Sequence, residues 1–343
     1  MCTLLNMHFG FYIPDHAHCR VLPLSYENYL NGAGFSGTEA ALLEISRGLE
    51  LQGHRTTVIQ DLTRAPHANT FDFFTPLFFL SPEVKEWIRN LRQDCIVAVW
   101  LHCYVHHDVL CEMKVSLGER PFSLIAVSET VARHVKDLDI PVHVVPNGIN
   151  KEVWCAASGV RSKQHVFIAT FERGGAVAAI VAQKLGKRLT TASYYHGGDL
   201  MANKSLSKKE LRRLLETSDI FVYPLVLPSG VVHHDTYACC VHEAMAAGVV
   251  VVTWDVACFR DIYPSDAIVL VPPLEYPGYN PFATHGKNPA LLSPEAVARL
   301  CDAVVALDRN PVRKEGIRER ARTWAHAHTW DDSVVAFGNL FAG

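Results

Sequence analysis

This sequence predicts an α/β chain built as two parallel-sheet domains, on three observations. Its 343 residues exceed one ordinary domain and suit two, each able to bury its own core. Short apolar, β-branched runs alternate with amphipathic segments along the whole chain, which is the pattern of repeated strand–helix units. The alternation also stops at a polar stretch, CAASGVRSKQ (155–164), and then restarts.

In the first half, strands are expected near 7–13, 56–60, 96–101, 122–127 and 142–145. A helix over 39–52 opens at Thr38, buries Leu42, Ile45 and Leu49 and stops at Gly53; another over 129–138 opens at Ser128. In the second half, strands are expected near 165–170, 189–194, 219–223, 249–254 and 267–271. Helices fall at 174–185, at 207–216 behind a Ser207/Glu210 capping box, at 236–247 ending at Gly248, at 294–308 and at 312–327. The Pro-, Gly- and Asn-rich stretch between Pro272 and Pro294 reads as a long surface loop.

Composition narrows the class. The 32 basic and 35 acidic residues nearly balance, so no field of the whole protein draws in nucleic acid or an anionic membrane. The opening MCTLLNMHFGFYIP has no basic stretch before a long apolar run, and nowhere do about 18 apolar residues run together. A soluble, cytoplasmic chain without signal peptide or membrane span is expected. The 10 cysteines lack any C-x-x-C pair and read as reduced core residues; Cys95, Cys103 and Cys111, eight apart, fit a buried strand and its loop.

The stretch from Asp235 to Gly248, DTYACCVHEAMAAG, precedes a buried strand and carries the clearest chemical signal. Asp235 is expected at the helix start and Glu243 two turns on, about 12 Å along the axis. That span suits an elongated ligand with hydroxyls at both ends and a diphosphate between them, near free helix N–H groups. The structural alternative is an N-cap and a salt-bridged helix residue. Elsewhere, Gly34-Phe-Ser-Gly37-Thr38 can bring backbone close to phosphates at a helix N-terminus.

The acidic stretch resembles the signature of family 4 retaining glycosyltransferases of the GT-B fold, in which two glutamates seven residues apart precede Ala-x-Ala-x-Gly and a hydrophobic strand. Four further segments are similar to that family in order: GFSGTEAALLEISRGLELQGH (34–54), AVSETVARHV (126–135) with VVPNGIN (144–150), FIATFERGG (167–175), and HTWDDSVVAFGNLF (328–341). The resemblance covers nearly the whole chain. It implies two Rossmann-like domains facing a central cleft: 1–155 on the acceptor side, 156–327 binding the nucleotide sugar, and a terminal helix in 328–343 packing back on the first domain.

It also implies a transfer of sugar from a UDP- or GDP-sugar donor with retention, with no cofactor and no required metal; the acceptor stays unidentified. Carried onto this chain, Glu243 bonds the donor ribose and Asp235 grips the transferred sugar. Gly37 and Thr38, with the backbone of Thr236, Tyr237 and Ala238, face phosphate and sugar. Arg173 pairs with the diphosphate, and His102 lies near the reacting centre. Two departures stand out. Asp235 is about 1.5 Å shorter than a glutamate, and the second basic residue of the phosphate clamp is missing where this chain reads Phe167-Ile168-Ala169, leaving Lys184 or Lys204 as substitutes.

Alternatives stay open. Gly32-x-Gly34-x-x-Gly37 spells a dinucleotide fingerprint with Asp61 beyond it, which would make the chain a nicotinamide-dependent oxidoreductase; but about 18 residues part Pro14 from Gly32, where the fingerprint must follow its strand directly. His102, Cys103, His106, His107 and Asp108 with His233 and His234 could suggest a metal site, though histidines beside a cleft more often serve as hydrogen-bonding groups. An inactive nucleotide- or sugar-binding protein fits the two departures.

Overall fold

The computed structural model describes residues 6–14, 24–32, 35–78, 80–155, 163–192, 206–232, 234–256, 258–281 and 286–341. They fall into two compact units, one of Met1–Cys19, Thr38–Asn147 and Trp330–Gly343, the other of Arg20–Gly37 and Gly148–Thr329. The unit boundary thus lies at 147/148, against the 155/156 expected from the polar stretch, and residues 20–37 belong with the second unit. Most of that stretch, 156–162, lies outside the described residues.

The first unit holds β1 (His8–Tyr12), β2 (Arg55–Ile59), β3 (Phe73–Pro76), β4 (Ile96–Leu101), β5 (Ser123–Ala126) and β6 (Val142–Val144), all parallel, in the order β2-β1-β3-β4-β5-β6. β3 was not expected, because its aromatic run FDFFTP carries a proline and no clean alternation. It nonetheless sits in the middle of the sheet, where Phe73 stacks on Phe9 with ring centroids 4.7 Å apart. Helices Pro82–Arg89 and His107–Leu117 were likewise missed. The first long helix starts at Gly37 and not at Thr38, and runs to Leu51.

The terminal helix Trp330–Asn339 packs within this unit. The ring of Phe337 lies 5.8 Å from Phe11 and 5.5 Å from Trp100. Gly48 makes the approach possible, since a Cβ there would meet Val334 at 2.2 Å. Burying Phe337 alone contributes about 2–3 kcal/mol.

The second unit holds β7 (His165–Ile168), β8 (Arg188–Thr191), β9 (Ser218–Tyr223), β10 (Val231–Val232), β11 (Val250–Trp254), β12 (Val269–Val271) and β13 (Gly286–Lys287). Its main sheet is parallel, in the order β12-β11-β9-β7-β8. β9 and β11 are buried at every position, as a strand covered on both faces must be, which is why their sequences are dominated by the apolar runs IFVY and VVV. Helices Gly175–Leu185, Lys208–Glu216, Cys239–Ala246, Pro294–Asp308 and Pro311–Ala327 accompany the sheet, and the Ser207/Glu210 capping box forms as expected.

The stretch after Pro272 is less free than a surface loop. β13 pairs antiparallel with β10, and Asn288 Nδ2 donates to the Leu274 carbonyl at 3.0 Å. The short helix Tyr26–Asn31 also belongs to this unit: Asn150 Nδ2 donates to the Tyr26 hydroxyl at 2.7 Å, and Lys209 Nζ to Asn31 Oδ1 at 2.8 Å. The described cysteines are free thiols, and burial pushes Cys95 up to about 12 and Cys103 up to about 11, so neither is a ready nucleophile. Cys111, however, lies exposed on helix His107–Leu117 and off the strand and loop expected for it. No helix among the described residues is long and apolar enough to cross a membrane.

Candidate functional site

The acidic stretch and Arg173 meet at the carboxyl ends of β7 and β9, neighbours in the second sheet, where parallel sheets present their ligand sites. Beyond β7 the chain makes a tight turn, Phe171–Arg173, and Gly174 closes it with φ of 116°. Glycine is needed there twice over. The left-handed backbone favours it, and a Cβ would meet Pro224 at 2.6 Å. That close seat on the residue following Tyr223 brings Arg173 to the end of β9.

Arg173 Nη1 donates to the Tyr223 hydroxyl at 2.9 Å and to Asp235 Oδ1 at 3.0 Å, while the Tyr223 hydroxyl donates to Asp235 Oδ2 at 2.7 Å. The three groups form a closed triangle. Burial works against the Arg173 charge, but Tyr223 and Asp235 outweigh it and raise its pKa. Burial, reinforced by the Asp235 carboxylate, pushes Tyr223 well above its ordinary value, so the phenol stays a donor. Tyr223 was not singled out from sequence; one aromatic within the run SDIFVY carries no signal of its own.

Asp235 does not open a helix. The helix begins at Cys239, with Ala238 as its N-terminal flank and no side chain capping it. Residues 235–238 are a loop held by three buried partners: Tyr223 on Asp235, the Tyr237 hydroxyl 3.2 Å from His242 Nδ1, and the Tyr263 hydroxyl donating to the Ala238 carbonyl at 2.8 Å. The expected 12 Å helical spacing of the two carboxylates therefore fails, because Asp235 and the three residues after it precede the helix. What replaces it is a loop that passes the uncapped N-terminus of helix Cys239–Ala246, whose dipole favours an anion.

His242 completes the support. Its Nε2 lies 3.2 Å from the Ala325 carbonyl and so carries the proton, leaving Nδ1 to accept from Tyr237. Burial lowers its pKa to about 3 and keeps the ring neutral.

Glu243 is ion-paired: Lys208 Nζ reaches its Oε1 at 2.5 Å, with both side chains 7% exposed. Lys208 is a basic residue that the sequence did not single out, and its only clue was its place behind the Ser207 cap. Of the two substitutes considered, Lys184 is exposed in the last turn of helix Gly175–Leu185, at the end remote from Arg173, and Lys204 lies outside the described residues. Gly37 does come to the site: a Cβ on it would stand 3.3 Å from Cys239 Sγ, at the first residue of the helix. Gly34 lies outside the described residues, and Thr38, the next residue after Gly37, belongs to the first unit and not the second.

His102 follows β4 in the first unit, its ring 4.5 Å from Trp100. The neighbouring histidines serve the backbone: His107 Nε2 donates to the His134 carbonyl at 2.5 Å, and His134 Nε2 to that of Val105 at 3.0 Å. Among the described residues no three His, Cys, Asp or Glu gather as metal ligands; His233 is outside them. The dinucleotide fingerprint fails on its context, since Gly32 follows helix Tyr26–Asn31 and not a strand.

No protein-family model matches the chain, and no curated protein is similar to it in sequence. Solved structures are similar in fold. The sucrose-phosphate synthase of Thermosynechococcus elongatus superposes with a TM-score of 0.66 at 12% identity, over 98% of each chain. A glycosyltransferase from Rickettsia africae gives 0.65 at 12% identity, again over 98% of each. The chain has the GT-B fold. Anabaena HepE, solved with UDP and glucose, matches over 98% of this chain and 99% of its own, with a TM-score of 0.62 at 11% identity. These likenesses fix the GT-B architecture of two parallel α/β sheets; at such identities the chemistry must be argued from the side chains.

Proposed function

We propose that this GT-B protein is a glycosyltransferase moving a sugar from a UDP- or GDP-sugar to an acceptor, with retention of configuration and no required metal. The observation that carries the reading is the triangle of Arg173, Tyr223 and Asp235 beside an uncapped helix N-terminus, with Glu243 further along the same helix. It supplies a cation and amide donors for a diphosphate, with a carboxylate to either side for hydroxyls. HepE, of like fold, was solved with UDP and glucose, which supports the choice of donor class.

In this reading Glu243 accepts from the ribose and Asp235 from the transferred sugar. Arg173 keeps Nη1 on Asp235 and turns other members of its five-donor fork to the diphosphate. The acceptor oxygen bonds to the anomeric carbon from the face that the diphosphate leaves. The anomeric C–O bond breaks, its electron pair stays on the phosphate oxygen, and the acceptor proton passes to that oxygen. Catalysis is then electrostatic, by donors already in place around the leaving group. His102, at the carboxyl end of β4, is the first-unit residue assigned to the acceptor side. The free thiols suit a reducing compartment, so we place the protein in the cytoplasm.

A thermal-shift panel of UDP, GDP, their sugars and NAD tests the reading, since a ligand that binds only the folded state raises Tm. UDP or GDP should raise it and NAD should not, and transfer should survive excess EDTA. A shift with NAD alone would favour the oxidoreductase; loss in EDTA restored by added metal would reopen the mechanism. Donor binding without hydrolysis or transfer would identify an inactive binding protein.

A further inference from the structure

Lys208 is the first residue of helix Lys208–Glu216 and is 6% exposed. Both facts oppose a charge there, because burial removes its hydration and the helix N-terminus carries positive potential. Two groups offset these costs. Glu243 Oε1 receives the ammonium at 2.5 Å, and the ring of Tyr29 lies 5.7 Å from it on the cation–π side. Tyr29 is itself fixed, on the short helix that Asn150 and Lys209 tie down. A buried ion pair contributes little net stability compared with apolar residues of like volume, so stability alone does not account for it.

We propose that Lys208 is a positioning residue of the nucleotide site, holding Glu243 so that its second oxygen is presented to the ribose. The inference rests on the reading of Glu243 as the ribose carboxylate. The ammonium fixes one carboxylate oxygen and removes the rotamer freedom of a glutamate. It also leaves the pair neutral, so a diphosphate approaching the same helix does not meet an uncompensated anion. Tyr29 makes helix Tyr26–Asn31 part of the support.

Calorimetry on the full chain with UDP, GDP and their 2′-deoxy analogues tests this. Lys208→Met should weaken binding of the ribonucleotides about tenfold and of the deoxy analogues far less, and Lys208→Arg should restore most of the loss. In a Glu243→Gln background Lys208→Met should cost nothing further, the mark of residues acting as one unit. Unchanged affinity in Lys208→Met, equal losses for ribo- and deoxynucleotides, or additive losses in the double variant would each overturn the positioning role. Wild-type affinity in Glu243→Gln alone would remove the ribose reading instead, whatever Lys208 does. Should Lys208→Met not fold, Tyr29→Leu provides the milder displacement: a loss confined to the ribonucleotides is expected, and none overturns the proposal.

Discussion

The hydroxyl of Tyr223 points at Asp235 and donates to its Oδ2 at 2.7 Å, from a side chain that is only 1% exposed. Because β9 ends at Tyr223, the sheet itself sets where that hydroxyl stands. Asp235, in a loop with no helix of its own, takes its place from the tyrosine and from Arg173. Tyr223→Phe removes one oxygen and keeps the ring. It is expected to lower kcat about tenfold, with diphosphate affinity nearly unchanged, as one hydrogen bond to a charged group implies. An equal fall in diphosphate affinity, read by calorimetry, would mean that Tyr223 acts on the nucleotide.

Arg173 serves two partners from one nitrogen, Nη1, which leaves the other nitrogens of its fork for a further acceptor. Arg173→Lys keeps the charge but has a single nitrogen to share among Tyr223, Asp235 and a phosphate. Turnover should fall about tenfold in Arg173→Lys and a further tenfold or more in Arg173→Ala. Steady-state rates with the best donor of the thermal-shift panel decide it. Equal rates for wild type and the alanine variant would withdraw Arg173 from the diphosphate.

The fold was legible in the sequence because parallel strands buried on both faces leave short β-branched and aromatic apolar runs, here VVV in β11 and IFVY in β9. β3 was not legible, since a strand is identified by its neighbours and FDFFTP shows them only once folded. The site divides in the same way. Asp235, Glu243, Arg173 and Gly37 stand in local patterns that pointed to them. Tyr223 and Lys208 reach the site through long-range contacts with Asp235 and Glu243, which no spacing encodes. The helix start was misplaced for a related reason. Asp235 is a good cap by local preference, but the carboxylate finds Tyr223 and Arg173 instead, and the helix opens later at Cys239.

His242 makes the protein sensitive to acid. Its ring is neutral in the fold, with a pKa near 3, and ordinary at 6.5 when unfolded. Below pH 6.5 the unfolded chain takes up a proton that the folded one refuses. Stability from this residue is therefore full above 6.5 and is lost as pH falls toward 3, at about 1.4 kcal/mol per pH unit at the steepest. Urea unfolding at pH 7, 5.5 and 4.5 should show wild type losing more stability than His242→Gln, which cannot titrate. Parallel losses in the two proteins would show that carboxylates elsewhere govern the acid limb.

Asp235 should set the grip on the transferred sugar and leave the nucleotide alone, so Asp235→Asn is expected to cut transfer tenfold or more while diphosphate binding barely changes. The geometry gives the reason. Arg173 and Tyr223 both donate to this carboxylate, one to each oxygen, and an amide has only one oxygen to offer. Its NH2 would face a donor, and a charge-assisted bond worth about 1.5–3 kcal/mol is replaced by an opposed pair. Asp235→Glu tests the fit from the other side. The extra methylene drives the carboxylate about 1.5 Å past the place where Tyr223 and Arg173 converge, so activity should fall, and Tyr223→Phe in the same chain should recover part of it by making room. A rise in activity with glutamate alone would mean that the triangle is not fitted to aspartate and that the longer acid of the resembled signature suits the site better. Transfer unchanged in both Asp235→Asn and Asp235→Glu would leave Asp235 as an anchor for Arg173 and nothing more, and the sugar would have to be held by other residues.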